Sequence, residues 1–290
     1  MKKSAVVALA GRPSVGKSTL VNLLCGAKVA IVSPSPQTTR NAIRGILTKP
    51  EGQLVFIDTP GRHKSERKFN RKLMDVADRA LNDAELILYV LDASRLPGPE
   101  EEAVADKLRP FQDRTVLAIN KMDIDGADSK THHEFLDKFL MEIPANRRFE
   151  ISCLNKEGTA PLLDCLFEMA PEDEPQYPEE YYTDQDMNFR ISEIIREKAI
   201  NRLRDELPHS IHVEVADLEL KDTPAGKKRL WVRAFIITER ESQKGMIVGR
   251  GGENIKAIGQ AARKELNTIF DWKVELDLRV KTGRDWRGRV

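Results

Sequence analysis

The residues with the clearest chemistry form the stretch GRPSVGKS, residues 11–18, which matches the phosphate-binding pattern G-x-x-x-x-G-K-[ST] at every fixed position. Its glycines let backbone N–H groups turn toward phosphate oxygens. Lys17 reaches the β- and γ-phosphates, and Ser18 offers its hydroxyl to Mg²⁺. A chance match is the alternative, but an apolar run precedes the loop and a helical stretch follows it, as the motif requires. We therefore predict nucleotide contacts from Gly11, Arg12, Pro13, Ser14, Val15, Gly16, Lys17, Ser18 and Thr19.

A second loop, DTPG at residues 58–61, follows the apolar run LVFI. Asp58 can hold Mg²⁺ through a water molecule, and the backbone N–H of Gly61 can sense the γ-phosphate. Thr59 and Pro60 lie between them and are assigned to the same nucleotide site. Taken alone, these four residues fit any turn. Their place downstream of a phosphate loop favours the magnesium and phosphate role.

The base is predicted by NKMD, residues 120–123. Asp123 can accept hydrogen bonds from N1–H and the exocyclic amine of guanine, whereas adenine would leave the carboxylate unpaired at about 1.5–3 kcal/mol per lost bond. Asn120 would tie the base edge to the phosphate loop, and Lys121 would lie along the ring. A backbone N–H from Ser152, Cys153 or Leu154 would reach the guanine O6. Each tetrapeptide is a weak signal alone, but their order after successive strands indicates a guanine nucleotide.

Five short apolar runs alternate with helical stretches in the first part of the chain, and each ends in small or polar residues. Such runs are typical of a parallel sheet that is covered on both faces, and ligands bind at the carboxyl ends of its strands. The candidate residues above all follow one of these runs. The expected fold class is therefore α/β with a mostly parallel sheet, and the phosphate loop indicates a P-loop NTPase. The runs are SAVVALAG, LVFIDTP, LILYVLDA, TVLAINKMD and RFEISC.

The amino-acid composition changes at APEDEPQYPEEYYTDQD, residues 170–186, where prolines and acidic residues predict a linker. We expect a nucleotide domain over 1–170, a linker over 171–186 and a second domain over 187–290. The second domain alternates as helix, strand, strand, helix and strand, which predicts an α+β fold.

The second domain contains KGMIVGRGGENIKAIG, residues 244–259, with an apolar turn, the sequence GRGG and a helix from Glu253. This arrangement is that of a KH domain, in which a G-x-x-G loop holds about four nucleotides by their backbone. Without side chains, the glycines let the sugar-phosphate chain approach closely. Read alone, GRGG is equally a surface loop, but the flanking apolar residues give it packed helices on both sides. The predicted RNA contacts are Lys244, Gly249, Arg250, Gly251, Gly252 and Lys256.

Charge is divided unevenly along the chain. Residues 1–185 contain 25 Lys and Arg against 29 Asp and Glu, a net of −4, and residues 186–290 contain 22 against 17, a net of +5. The excess of positive charge is consistent with a polyanionic partner, although a basic tail is often only a solvated end. No apolar run is long enough to cross a membrane, and three unpaired cysteines fit reduced thiols in a cytosol.

The motifs GRPSVGKST, PQTTR, DTPGRHK, NKMD and SCLNKEG, together with the KH stretch, resemble those of the Era family of bacterial GTPases. The resemblance covers essentially the whole chain, and it implies a Ras-like G domain for the P-loop NTPase part. It implies a Mg²⁺-dependent GTPase that turns GTP into GDP and phosphate, with Lys17, Thr39 and Gly61 as catalytic residues. Thr39 of PQTTR would be a Mg²⁺ ligand beside Ser18 and Asp58, although Thr38 and Thr39 are also compatible with an ordinary threonine pair in a loop.

The resemblance further implies a type II KH domain that binds the 3′ end of 16S ribosomal RNA during assembly of the small (30S) subunit. It implies a monomer in the cytoplasm, and it leaves room for peripheral contact with the inner membrane. Two alternatives stay open. In the first, the chain is a GTP-liganded RNA-binding protein with negligible hydrolysis. In the second, it is a cell-cycle regulatory GTPase whose KH-like module binds protein.

Two positions depart from the wider group. Arg62 stands where many small GTPases place a water-orienting Gln, and it either faces solvent or steadies transition-state charge. Ser14 stands where relatives commonly have an Asn that helps to hold K⁺. Because the serine side chain is shorter, we expect slow intrinsic hydrolysis with weak stimulation by K⁺.

Overall fold

The computed structural model describes residues 2–33, 38–60, 68–203, 210–222 and 228–283, with backbone only for 68–73. The chain divides into two compact units. The first contains Met1–Val32 and Pro36–Asp184, and the second contains Ser33–Ser35 and Gln185–Val290. No helix in the described ranges has both the length and the apolar character needed to span a membrane.

The first unit is built on a six-stranded sheet of β1 (Lys3–Ala10), β2 (Ile43–Lys49), β3 (Gly52–Asp58), β4 (Leu86–Asp92), β5 (Thr115–Asn120) and β6 (Arg148–Glu150). The strands lie in the order β2-β3-β1-β4-β5-β6. All neighbouring strands are parallel except β2 and β3, so the predicted mostly parallel sheet is confirmed. Every residue of β3, β4 and β5 is buried, because helices cover both faces. The helices are α1 (Lys17–Cys25), α2 (Lys68–Asp83), α3 (Pro99–Leu108), α4 (Ser129–Phe139) and α5 (Thr159–Met169).

Strand β2 is absent from the sequence-based prediction. Its sequence IRGILTK mixes charged and apolar residues, and it lies at the edge of the sheet, antiparallel to β3. An edge strand with one solvated side lacks the continuous apolar run that reveals the central strands.

Much of the acidic segment after residue 170 is bonded to this sheet. The side chain of Gln53 on β3 is fully buried, and its amide donates to the carbonyl oxygen of Tyr177 at 2.9 Å. The Gln53 carbonyl oxygen accepts from the backbone N–H groups of Gln176 and Tyr177 at 2.9 and 3.0 Å. Thr183 donates to the Arg44 carbonyl oxygen at 2.8 Å. Residues up to Asp184 therefore belong to the first unit by contact, which differs from the predicted linker at 171–186.

The elements of the second unit are α6 (Met187–Arg202), β7 (His212–Asp222), β8 (Lys228–Thr238), α7 (Glu241–Val248), α8 (Glu253–Ile269) and β9 (Lys273–Thr282). The strands form a sheet in the order β7-β8-β9, antiparallel between β7 and β8 and parallel between β8 and β9. The buried side chains on alternate positions of β8 pack against helices α6 and α8 in one core. The KH fold is confirmed. Residues 241–248 form a helix where a turn is predicted, and the Gln243 side chain accepts from the Arg240 N–H at its start.

Candidate functional site

The phosphate loop between β1 and α1 needs both of its glycines. Gly11 has φ +141°, and a Cβ there would overlap the carbonyl oxygen of Val90 on β4. Gly16 has φ +104°, and a Cβ there would overlap the amide of Asn120. Ser14 also lies in the left-handed region, at φ 64°, which serine adopts less readily than asparagine. The loop is therefore held close to the ends of β4 and β5.

Lys17 points across this loop. Its ammonium donates to the carbonyl oxygens of Gly11 and Arg12 at 2.9 and 2.8 Å. Burial lowers the pKa of Lys17 to about 8, while the negative charges of Asp58 and Glu101 act in the opposite direction. A buried ammonium fixed beside a loop of backbone N–H groups is suited to binding phosphate.

Three oxygen-bearing side chains meet at the start of α1. The Ser18 hydroxyl donates to Asp58 Oδ2 at 2.6 Å, and the Thr39 hydroxyl donates to the same oxygen at 3.1 Å. The Ser18 and Thr39 hydroxyl oxygens are 3.1 Å apart. Burial raises the pKa of Asp58, partly offset by Lys17 and by the two hydroxyl groups. Asp58 Oδ1 is buried and has no hydrogen-bond partner among the described residues. This set of hard oxygen atoms fits Mg²⁺.

Of the DTPG loop, the structure describes Asp58, Thr59 and Pro60, whereas Gly61 and Arg62 lie outside the described residues. The Thr59 hydroxyl donates to the carbonyl oxygen of Leu9 at 2.7 Å and is buried. Its side chain therefore anchors the end of β3 to β1.

The residues predicted to select the base are joined to the phosphate loop by Asn120. Its amide nitrogen donates to the Val15 carbonyl oxygen at 2.8 Å, and its amide oxygen accepts from the Cys153 N–H at 3.1 Å. Both contacts are buried or nearly so, and they connect three loops. The Cys153 N–H is consequently bonded within the protein, and the Ser152 N–H donates to the Glu157 carbonyl oxygen at 3.1 Å. Of the three residues predicted to reach the guanine O6, the exposed Leu154 is therefore the remaining candidate.

The Asp123 carboxylate is fixed by a neighbouring hydroxyl. Ser152 is fully buried, donates to Asp123 Oδ1 at 2.5 Å and accepts from the Asn155 N–H at 3.0 Å. Lys121, at φ 69°, donates to Asp92 Oδ2 at 2.6 Å. Burial opposes ionisation of Asp92, but the hydrogen bonds from Lys121 and Ser94 hold its pKa below the usual value.

Two carboxylates near the loop are missed by the sequence analysis. Asp92 ends β4, and the rule that ligands bind at strand ends is a signal for it. Glu101 lies in the first turn of α3, within three consecutive acidic residues that read as a solvated helix start. It is instead fully buried and forms an ion pair with Arg12. Burial raises the pKa of Glu101 to about 7, with Arg12 and Lys17 acting against the rise.

The GRGG loop lies between α7 and α8. Gly249 has φ +75°, and a Cβ there would lie 2.9 Å from Asn254 Nδ2. Gly251 and Gly252 have φ +60° and +82°, and a Cβ on either would meet nothing within 4 Å. These two glycines therefore leave the backbone open rather than relieving a clash.

The predicted cations around the GRGG loop differ in their surroundings. Arg250 and Lys256 are exposed, and Lys244 is paired with Glu241 at 3.0 Å. The loop thus combines accessible backbone, two exposed cations and the N-terminus of α8, as a phosphate-binding surface requires.

Comparisons with known proteins give matches for both the nucleotide-binding part of the chain and the KH domain. A family model described as a 50S ribosome-binding GTPase matches residues 6–121, and a KH-domain model matches residues 206–287. The chain is 48% identical over 284 residues to the GTPase Era of Treponema denticola, covering 98% of this chain and 96% of that protein. It is 45% identical over 284 residues to the GTPase Era of Borrelia garinii, with the same coverage.

Two solved structures match nearly the whole chain. One is Era in complex with MgGDPNP and nucleotides 1506–1542 of 16S ribosomal RNA, with a TM-score of 0.91 and 34% identity, covering 100% of this chain and 96% of that one. The other is an Aquifex aeolicus Era variant bound to GDP and AlF₄⁻, with a TM-score of 0.90 and 34% identity, covering 99% and 96%.

Proposed function

Because the chain belongs to the Era family of GTPases, we propose that it couples GTP hydrolysis to binding of the 3′ end of 16S ribosomal RNA during assembly of the small (30S) subunit. The GTPase activity and the KH domain follow from family membership. The RNA target rests on the structurally similar Era that was solved with a 16S ribosomal RNA fragment. We further propose a cytoplasmic location, while the monomeric state and the peripheral membrane contact stay predictions.

The observation that carries the nucleotide assignment is the pair of hydrogen bonds made by Asn120. They hold the phosphate loop and the 152–154 loop at the same sheet edge as Asp123. The carboxylate then accepts from the guanine N1–H and amine, and the tail of the nucleotide enters the loop before Lys17. An adenine would leave the carboxylate without these donors.

In hydrolysis, a water oxygen attacks the γ-phosphorus and the bond to the β–γ bridging oxygen breaks, which leaves GDP and phosphate. Lys17 and the loop N–H groups balance the charge on the phosphates. Ser18, Thr39 and Asp58 would hold Mg²⁺, which supplies further positive charge when bound. Thr39 contacts both of the other proposed ligands, Ser18 and Asp58, which supports a shared metal site. The Gly61 role stays a prediction.

Single-turnover hydrolysis of GTP with Mg²⁺ tests this assignment against a protein that only binds GTP. We expect conversion of bound GTP into GDP, and we expect it to be lost in Lys17→Ala. Retention of intact GTP over hours in the unmodified protein would support the GTP-liganded alternative.

The RNA proposal rests on the open backbone at Gly251 and Gly252 and on the exposed Arg250 and Lys256. Binding of a single-stranded RNA with the 16S 3′-end sequence, measured over a series of salt concentrations, should show a steep loss of affinity with salt. Gly251→Asp should weaken it at least 10-fold, because a carboxylate would face the RNA phosphates, while aspartate tolerates the left-handed backbone. Gly26→Asp, at another open glycine with a left-handed backbone (φ +62°), is the matched control.

The coupling of the two activities is tested by measuring this RNA affinity with a GTP analogue and with GDP. A ligand shifts an equilibrium only by its differential affinity, so coupling requires different affinities in the two states. Equal affinities would leave two independent activities. Absence of RNA binding, with GTPase activity intact, would favour the regulatory GTPase whose second domain binds protein.

A further inference from the structure

The second residue of the phosphate loop is tied to a helix that carries no predicted nucleotide contact. The guanidinium of Arg12 forms an ion pair with the Glu101 carboxylate of α3. The Glu101 side chain is 0% exposed, and that of Arg12 is 12% exposed. Charged side chains are almost never buried to this extent without a partner.

Stability alone is a weak reason for this pair. Removing two charges from water costs free energy, and well-packed apolar residues in their place are often as stabilising or more so. The hydroxyl of Tyr89 on β4 is also buried without a hydrogen-bond partner among the described residues. It lies close enough to the pair that the Glu101 charge adds to the burial that raises the pKa of Tyr89, while Arg12 acts against the rise. Burying these polar groups beside one another costs free energy. Their presence therefore suggests a requirement other than packing.

The position of Arg12 supplies such a requirement. Its carbonyl oxygen accepts the hydrogen bond from the Lys17 ammonium at 2.8 Å. Gly11, which supplies the other carbonyl oxygen, rests against Val90 of β4. The loop is therefore held by β4 on the Gly11 side and by α3 through the Arg12 side chain.

We propose that Glu101 is a positioning residue for GTP binding and hydrolysis, which holds Arg12 so that the loop carbonyl groups direct Lys17 toward the β- and γ-phosphates. This inference rests on the proposed role of Lys17. Glu101 itself does not contact the nucleotide. Its effect should appear only where the ligand has the phosphates that Lys17 reaches.

The number of phosphates on the ligand distinguishes positioning from general support of the fold. GMP uses the base site of Asn120 and Asp123 but has no β-phosphate. Loss of the Lys17 orientation should therefore weaken GDP and GTP and leave GMP unchanged. A defect in folding would weaken all three nucleotides together.

The experiment measures dissociation constants of the full chain for GMP, GDP and a non-hydrolysable GTP analogue with Mg²⁺. In Glu101→Gln we expect a loss of about 10-fold for GDP and the analogue and less than 2-fold for GMP. Glu102→Gln, an exposed neighbour in the same acidic run, is the matched control and should change none of them. In an Arg12→Gln background, Glu101→Gln should have no further effect, since it acts through Arg12.

Two further variants keep the outcomes separate. Lys17→Ala should give the same selective loss; if it does not, the proposed function of the loop is wrong. If Lys17→Ala shows the loss and Glu101→Gln does not, the role of Glu101 is wrong. The double variant Arg12→Met with Glu101→Met should fold, because it replaces the ion pair with apolar side chains. Full GDP affinity in that folded variant would also overturn the inference.

Discussion

The orientation of the base-reading carboxylate should depend on one buried hydroxyl. Ser152 donates to Asp123 Oδ1 at 2.5 Å and is held in turn by the Asn155 N–H at 3.0 Å. Ser152→Ala removes that one oxygen atom and leaves the backbone of the loop unchanged. A hydrogen bond to a charged group contributes about 1.5–3 kcal/mol. Because Asp123 is only partly buried, we take the lower limit, ~1.5 kcal/mol, which corresponds to about 10-fold in Kd.

The assay is equilibrium binding of GDP, inosine diphosphate and ADP by isothermal titration calorimetry. Inosine lacks the exocyclic amine that Asp123 accepts from, so the unmodified protein should bind inosine diphosphate less tightly than GDP. In Ser152→Ala, GDP should lose about 10-fold, and the preference for GDP over inosine diphosphate should shrink. Ser192→Ala, which removes a serine hydrogen bond from α6, should change neither. Unaltered GDP affinity in a folded Ser152→Ala would refute the claim that this hydroxyl positions the carboxylate.

Three further outcomes are expected. Gln53→Ala should lower the free energy of unfolding of the first unit by about 2–4 kcal/mol, since several buried hydrogen bonds of about 1 kcal/mol each are lost. Chemical denaturation measures this difference, and a change below about 0.5 kcal/mol would contradict the prediction. Asparagine suits the left-handed backbone at φ 64°, so Ser14→Asn should raise the rate of GTP hydrolysis in KCl relative to the rate in NaCl. A large stimulation by K⁺ in the unmodified protein would refute the hypothesis that its stimulation is weak. Cys25 and Cys153 are half-buried, and desolvation raises the pKa of each thiol to about 12. Alkylation at pH 8 should therefore be at least about 100-fold slower than in denaturant and should accelerate as pH rises; rapid labelling of either thiol in the native state would contradict its raised pKa.

The central sheet could be predicted because its strands carry their own signal. The strands β3, β4 and β5 are buried on both faces, so each is a continuous apolar run in the sequence. The candidate residues follow these runs directly, and parallel strands bring their carboxyl ends to one edge. That is why Asp58 and Asn120 meet the phosphate loop in the structure as the order of the motifs predicts.

The interactions within the site could not be predicted in the same way. Nothing in the spacing shows that Ser152 aims Asp123, because the two residues come from loops 29 positions apart. Glu101 is harder still, since two acidic neighbours in the same turn are exposed and have the composition of a solvated helix start. Only the packing of α3 against the phosphate loop distinguishes the buried member from the others.

The acidic segment differs from the predicted linker for another reason. Its prolines and carboxylates predict a solvated connection, and its side chains from Glu172 to Glu174 are indeed exposed. Its backbone, however, supplies the groups that pair with Gln53, and the Ile46 N–H donates to the Tyr182 carbonyl oxygen at 3.0 Å. These bonds satisfy a polar side chain inside the sheet and one edge of β2, where unpaired groups would be costly. Composition describes side chains, whereas this segment is held mainly through its backbone, so only a structure reveals that it covers the sheet edge.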